Sequence, residues 1–295
     1  MLVEGISEHY GPSERGPFGR PIYVGVMPGS AFDIISQFGA VEDDQRYTRL
    51  VELFTDDAIY YDPFFGAQRG KEAIREFMAH MEKIVPGSGA RFDSWETEAD
   101  TNCGWARWTM VAPSPDGVEV AVPGQSLYRL RNGKVSFVAD HLDCGAYRRL
   151  RGADAKTPDH ASALGLSADA SNVGGPALDS IRQFWETQNA GRYTELAPLF
   201  AHDAVFTDIV YGEFRGRPAI ADYFARMEAE MPAMGVTFEL VDAAGDESVG
   251  WSQWNCRFPN GMVPGWTLHT FRDGEFTLDS DYFDTNAARA LQPST

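Results

Sequence analysis

The stretch over residues 56–70, DDAIYYDPFFGAQRG, returns 146 positions later over residues 202–216 as HDAVFTDIVYGEFRG. At that constant offset residues 46–86 and 192–232 agree at 18 of 41 positions. A period this long signals two whole domains, because solenoid repeats recur about every 20–50 residues. The 295 residues also suit two domains of ordinary size, about 100–200 residues each. Whatever fold one copy adopts the other must share, and each must bury a core of its own.

Hydrophobic residues make up 43% of the chain and aromatic ones 13%, enough for two such cores, and no run reaches the roughly 18 apolar residues of a membrane span. A net charge of −18 argues against a nucleic-acid partner, which needs clustered Lys and Arg to displace counterions. Cys103, Cys144 and Cys256 are odd in number, lack CxxC spacing and are not equivalent between copies, so they read as free thiols of a reducing compartment. Residues 1–30 are rich in Gly and Pro and read as an arm without the pattern of a secretion signal, which gives a cytoplasmic expectation. Residues 151–176, rich in Ala, Ser, Gly and Asp, read as a linker between copies at 31–150 and 177–291.

Apolar spacing predicts helices over residues 32–54 and 71–85, then strands over 91–98, 103–112, 118–131 and 134–142. The second copy repeats the order, with helices near 177–200 and 218–231 and strands near 236–241, 249–258, 263–272 and 275–283. Helices followed by an antiparallel sheet imply an α+β domain in which the sheet curves around helices. Strand alternation puts Trp105, Arg107 and Thr109 on one face and Trp108 and Met110 on the other, the latter matched by Trp254, Cys256 and Phe258.

Asp62 stands among Tyr60, Tyr61, Pro63 and Phe64, and Asp208 holds the equivalent place. Such an aspartate is either a desolvated base with a raised pKa or a strand-end residue binding backbone amides. There is no GxGxxG after a strand, no P-loop, no HExxH and no GxSxG, and the six histidines are scattered. The expectation is a protein without cofactor or metal.

The segments LFTDDAIYYDP, RGKEAIREF and YRLRNGKVSFVADHLD, and their counterparts LFAHDAVFTD, RGRPAIADYF and LHTFRDGEFTLDSDYFD, resemble SnoaL-like and ketosteroid-isomerase-like members of the nuclear transport factor 2 superfamily. The resemblance implies two cones, each a sheet curled around helices and a mostly apolar pocket. It also implies pairing of the copies through the outer sheet faces, an internal pseudo-dimer with Trp108 and Trp254 expected between the cones. Asp62 and Asp208 then stand where ketosteroid isomerases place their proton-moving aspartate. The oxyanion-binding tyrosine and aspartate of those enzymes align with Phe38 and Ser126, and with Phe184 and Thr267, so steroid isomerisation itself is not expected.

A second similarity, to limonene-epoxide-hydrolase-like proteins with their RDYFD strand, points to Asp140 in ADHLD and Asp281 in SDYFD. It keeps Tyr60 and Arg107 but finds Thr109 where that family has an acid. Together these imply a catalytic set of Tyr60, Asp62, Arg107 and Asp140 in copy one and Asp208 and Asp281 in copy two. Trp105, Tyr128, Trp251, Gln253 and His269 are expected to line the substrate site. Arg107 has a second reading, a structural ion pair with Asp140. The functional expectation is acid/base proton transfer on a small hydrophobic carbonyl or polycyclic compound, by an isomerase, a cyclase of the polyketide type, or a dehydratase (lyase). The alternatives are a non-catalytic small-molecule-binding or assembly protein and, third, an epoxide hydrolase.

Overall fold

A computed structural model describes residues 30–152, 155–167 and 174–291; the expected arm, Ser30 apart, lies outside them. The first copy opens with α1 (Ala31–Asp44), capped by the Ser30 hydroxyl, which accepts from the Asp33 amide at 3.1 Å. A 3-10 helix (Tyr47–Leu53) leads into β1 (Phe54–Asp62) and β2 (Gly66–Arg69), then α2 (Lys71–Ile84). The strands β3 (Arg91–Ala99), β4 (Cys103–Pro113), β5 (Glu119–Arg131) and β6 (Lys134–Leu142) follow, and α3 (Cys144–Arg151) closes the copy.

The second copy repeats this as α4 (Pro176–Asn189), β7 (Phe200–Asp208), β8 (Gly212–Arg215), α5 (Arg217–Met234), β9 (Thr237–Gly245), β10 (Val249–Phe258), β11 (Gly261–Arg272), β12 (Glu275–Phe283) and α6 (Thr285–Ala290). The sheets run β2-β1-β6-β5-β4-β3 and β8-β7-β12-β11-β10-β9. All neighbours are antiparallel except β1 with β6 and β7 with β12, which are parallel.

The helix expected over 32–54 stops at Gln45, which turns into the left-handed region, and Phe54 already belongs to a strand. β1 and β7 escape the alternation test because each carries a register irregularity, between Phe54 and Ile59 and between Phe200 and Val205. α3 and α6 also went unforeseen; the equivalent Asp143 and Asp284 cap them, each accepting amide hydrogens of the first turn.

The inner face of each sheet packs on its helices: Ala106, Tyr128 and Val138 against Ile35, Phe38, Ile74 and Phe77 in copy one. In copy two, Trp254 and Phe276 pack against Ile181, Phe184 and Phe224. A further core joins the outer faces and holds Trp105, Leu127, Phe137 and Ala139 with Trp251, Trp266 and Leu268.

The contact between copies is isologous. The Trp105 indole donates to the His269 carbonyl at 3.1 Å, and its equivalent Trp251 donates to the Tyr128 carbonyl at 2.9 Å. The Asp100 carboxylate accepts from the Ser248 and Val249 amides, while Asp246 accepts from the Asn102 amide. Each pair is the other's image under the sequence repeat, which is what an approximate two-fold axis requires.

The tryptophan assignment is therefore corrected: Trp105 and Trp251 lie between the copies, whereas Trp108 and Trp254 point into the cones. There each indole lies over an equivalent glycine; a Cβ on Gly124 would sit 2.1 Å from the Trp108 ring and one on Gly265 2.4 Å from that of Trp254. Alternation fixes which residues share a face. It does not say which face is inside when both carry large apolar groups.

The described part of residues 151–176 packs closely. His160, Ala163 and Ser167 are fully buried, the Asp159 amide donates to the Pro63 carbonyl at 2.8 Å, and the Gly165 amide donates to Gln253 Oε1 at 3.2 Å. Ser167 also joins the buried Arg129–Asp242 pair, whose ions stand 2.6 Å apart. Among the described residues no helix is long and apolar enough to cross a membrane.

Candidate functional site: two unequal cones

Tyr60 and Asp62 from β1, Ser126 and Tyr128 from β5 and Asp140 from β6 share the inner face of the first cone, as the pairings Tyr60↔Val138 and Ser126↔Asp140 require. Asp140 is the hub. Its Oδ2 accepts from the Tyr60 hydroxyl at 2.5 Å, its Oδ1 accepts from the Ser126 hydroxyl at 2.6 Å, and the Trp108 indole donates to Ser126 Oγ at 3.0 Å. Burial pushes the Asp140 carboxyl up to about 7; its two hydroxyl donors pull the other way, and the Asp62 charge adds to the rise.

The repeated aspartate does both things its sequence context allows. Asp62 Oδ1 accepts the Phe64 and Phe65 amides at 2.7 and 3.0 Å, and Asp208 Oδ1 accepts those of Val210 and Tyr211 at 2.6 and 2.9 Å. Each closes an Asx turn that leads into the next short strand. Burial nevertheless raises both carboxyls, so the backbone hydrogen bonds only partly offset the lost hydration.

In the second cone one phenol has changed elements. Cone one packs Tyr60 of β1 against Phe77 of α2 in a tilted pair, with ring centroids 5.2 Å apart; cone two packs Phe206 of β7 against Tyr223 of α5 in the same way, 4.9 Å apart. The hydroxyl therefore moves from Asp140 to the other aspartate, Tyr223 donating to Asp208 Oδ2 at 3.1 Å. Asp281 keeps the Thr267 hydroxyl at 2.5 Å, itself an acceptor from the Trp254 indole. Burial and the neighbouring Asp279 hold Asp281 well above the usual carboxylate range.

Deeper in cone two, His269 Nδ1 stands 3.1 Å from Asp279 and its Nε2 3.1 Å from Ser252 Oγ, all three fully buried. Burial pushes the imidazole down to about 3 and the Asp279 carboxyl well up, which makes this contact a neutral hydrogen bond and not an ion pair.

Four of the expected site residues are not brought to the carboxylates. Arg107 lies on the outer face of β4, bonded to Glu96 at 2.6 Å, with its guanidinium 5.5 Å from the Trp105 ring. It therefore pairs with neither Asp140 nor Asp62. Trp105 and Trp251 belong to the contact between copies, and Gln253 bonds the connecting segment. Tyr128 and His269 do face their cones. Sequence reasoning missed Trp108, Ser252 and Asp279 as members of these networks. The spacing of Asp279 two residues before Asp281 carries the only signal, because it puts both on one strand face.

The model of the SnoaL-like domain matches residues 35–138 and again residues 181–278, more than half of the chain. The chain belongs to the SnoaL-like family. Each SnoaL-like match falls on one cone. No curated protein matches.

Among solved structures, a putative polyketide cyclase from Pseudomonas putida is 18% identical, with a TM-score of 0.35, over 41% of this chain and 97% of that one. A protein with a ketosteroid isomerase-like fold from Catenulispora acidiphila, in complex with trimethylamine, is 22% identical, with a TM-score of 0.33, over 39% and 92%. TerC, co-crystallised with polyporic acid, is 21% identical, with a TM-score of 0.34, over 40% and 95%.

Proposed function

We propose that the protein is a cofactor-independent acid/base catalyst of the SnoaL-like type that moves a proton on a small hydrophobic carbonyl or polycyclic compound, with cone one as the working site. The outcome is an isomerisation, a cyclisation or a dehydration. The observation that carries this reading is Asp140, an inward carboxyl lifted to about 7 and held on both oxygens by Tyr60 and Ser126. A group poised there is part ionised and part protonated at neutral pH, the best compromise for a residue that must take a proton and return it.

In this reading Asp140 removes a proton from carbon next to the carbonyl and redelivers it to another atom of the same substrate. Tyr60 and Ser126 fix the carboxylate's orientation. Tyr128, whose phenol faces Ser126 in the same cone, supplies a hydroxyl toward the developing oxyanion. Asp62 sets the local field and remains the turn-closing residue. Cone two serves packing or ligand binding, because Tyr223 engages Asp208 and the buried His269–Asp279 contact is neutral. Epoxide opening loses support with Arg107 outside the cone.

The test is solvent-deuterium exchange into a panel of hydrophobic cyclic ketones, followed by mass spectrometry. Wild type and Asp208→Asn should exchange alike and Asp140→Asn should be slower by at least about a hundredfold, the ordinary scale of a general base. Exchange that survives in Asp140→Asn defeats the assignment.

A further inference from the structure

Both cones carry the same chain of two hydrogen bonds across three strands. In cone one it runs from Trp108 of β4 to Ser126 of β5 and on to Asp140 of β6, at 3.0 and 2.6 Å. In cone two it runs from Trp254 to Thr267 and on to Asp281, at 2.8 and 2.5 Å. The register sets it up, pairing Trp108 with Gly124 and Ser126 with Asp140, and likewise Trp254 with Gly265 and Thr267 with Asp281.

The indole has little freedom in either copy. One face lies on the paired glycine, where a Cβ on Gly124 or Gly265 would come within 2.4 Å of the ring. Phe92 meets the Trp108 ring edge-on at 5.5 Å, and its equivalent Phe238 meets Trp254 in the same way at 5.8 Å. Around this fixed chain the cones differ: Tyr60 is matched by Phe206 and Tyr128 by His269. Two copies that do not share their phenols have both kept the indole N–H, the hydroxyl and the carboxyl in line.

We propose that Trp108 is a positioning residue for proton transfer at Asp140, acting through Ser126; the inference rests on Asp140 as the proton-moving group. An indole N–H donates and never accepts, so at Ser126 Oγ it takes up a lone pair and leaves the hydroxyl hydrogen to be given to Asp140 Oδ1. A hydroxyl that accepts one hydrogen bond is polarised and donates a second more strongly. Tyr60 holds Oδ2 independently of this chain. The carboxylate is thereby oriented from both oxygens, and one of its two donors is itself aimed and strengthened by a ring that cannot turn. Because the strengthened donor favours the charged form, the indole also lowers the pH at which Asp140 becomes a base.

The test is a double-mutant cycle read on the Asp140 carboxyl carbon by NMR, which needs no substrate. Trp108→Phe keeps a ring on Gly124 and removes the N–H, and it should raise the Asp140 midpoint by about 0.2–0.5 unit, the cooperative share of a bond to a charged group. Ser126→Ala should raise the midpoint by about one unit, and adding Trp108→Phe should then change nothing further. In the Tyr60→Phe background, and in Ser126→Thr, which installs the residue of cone two, the Trp108→Phe shift should persist in full. The acidic limb of kcat/KM against pH should follow the same shifts. The inference is overturned if Trp108→Phe leaves the midpoint where it is, or shifts it equally with and without the Ser126 hydroxyl, since the indole would then act by packing alone. Should Trp108→Phe fail to fold, the wild-type Trp108 indole proton decides: it must titrate with the Asp140 midpoint, and a flat response overturns the inference. A wild-type midpoint near about 4 would defeat the proton-transfer reading, whereas lost coupling between Trp108 and Ser126 would defeat only the positioning role.

Discussion

At the scale of single residues, the two cones differ by where one hydroxyl sits. Tyr60 lowers the Asp140 pKa by donating to its carboxylate, so Tyr60→Phe removes a hydrogen bond from the charged form and must raise that pKa above its value of about 7. The acidic limb of the pH–rate profile, where the base Asp140 becomes protonated, should move upward by about one unit, the worth of one hydrogen bond to a charged group, and kcat/KM against pH reads it. Arg107→Gln should leave that limb where it is, because Arg107 bonds Glu96 on the other face of the sheet. The inward placement of Asp62 and Asp208 was legible because carboxylates in apolar strands are expensive and conspicuous, and that of Asp140 and Asp281 was implied by the resemblance carried by ADHLD and SDYFD. Arg107 misled because an arginine on a strand belongs to a site on either face, and only the packing of Trp105 decides which.

At the scale of elements, the paired β4–β5 and β10–β11 strands depend on an indole lying flat on a glycine. Gly124→Ala or Gly265→Ala would drive a methyl to within 2.4 Å of a tryptophan ring, so each should destabilise its copy by about 1–3 kcal/mol, the usual cost of overpacking. Urea unfolding checks this, and Trp108→Leu in the Gly124→Ala background should recover part of the loss. β4, β5, β6 and their counterparts were legible from alternation and turn residues. β1 and β7 were not, because their register irregularities break the period that reveals a strand. The inward and outward faces of β4 were exchanged for a related reason: tryptophans occupy both, Trp105 outward and Trp108 inward.

At the scale of the whole molecule, the copies are locked through a core that buries neutral histidines. His141 stacks on Trp266 at 4.0 Å, and burial pushes it well below its ordinary pKa and His160 down to about 4. A histidine whose folded pKa is depressed binds fewer protons than in the unfolded chain, so its contribution to stability falls as pH drops from about 6.5 to about 4. Asp140 has the opposite sign, since its raised pKa makes the folded state bind more protons between about 4 and 7. The two are separated by a variant: the unfolding free energy of wild type minus that of His160→Gln should rise with pH across about 4 to 6.5 and be flat above. A difference that does not vary with pH would mean that His160 is not buried neutral between the copies. The duplication was plain in the repeat itself, and the pairing of the copies was implied by the family resemblance. The closely packed connecting segment was not, because its small polar residues read as a linker while His160 and Ser167 are fixed by partners distant in sequence.

The central claim is that cone one holds a carboxyl group poised near neutrality without help from Arg107. Carboxyl-carbon NMR titration of Asp140, in wild type and in Arg107→Gln, tests it most directly. The account predicts a midpoint near 7 in both proteins, with Asp62 also above its ordinary range. An Asp140 midpoint near or below about 4, the ordinary aspartate value, would contradict proton transfer in this cone.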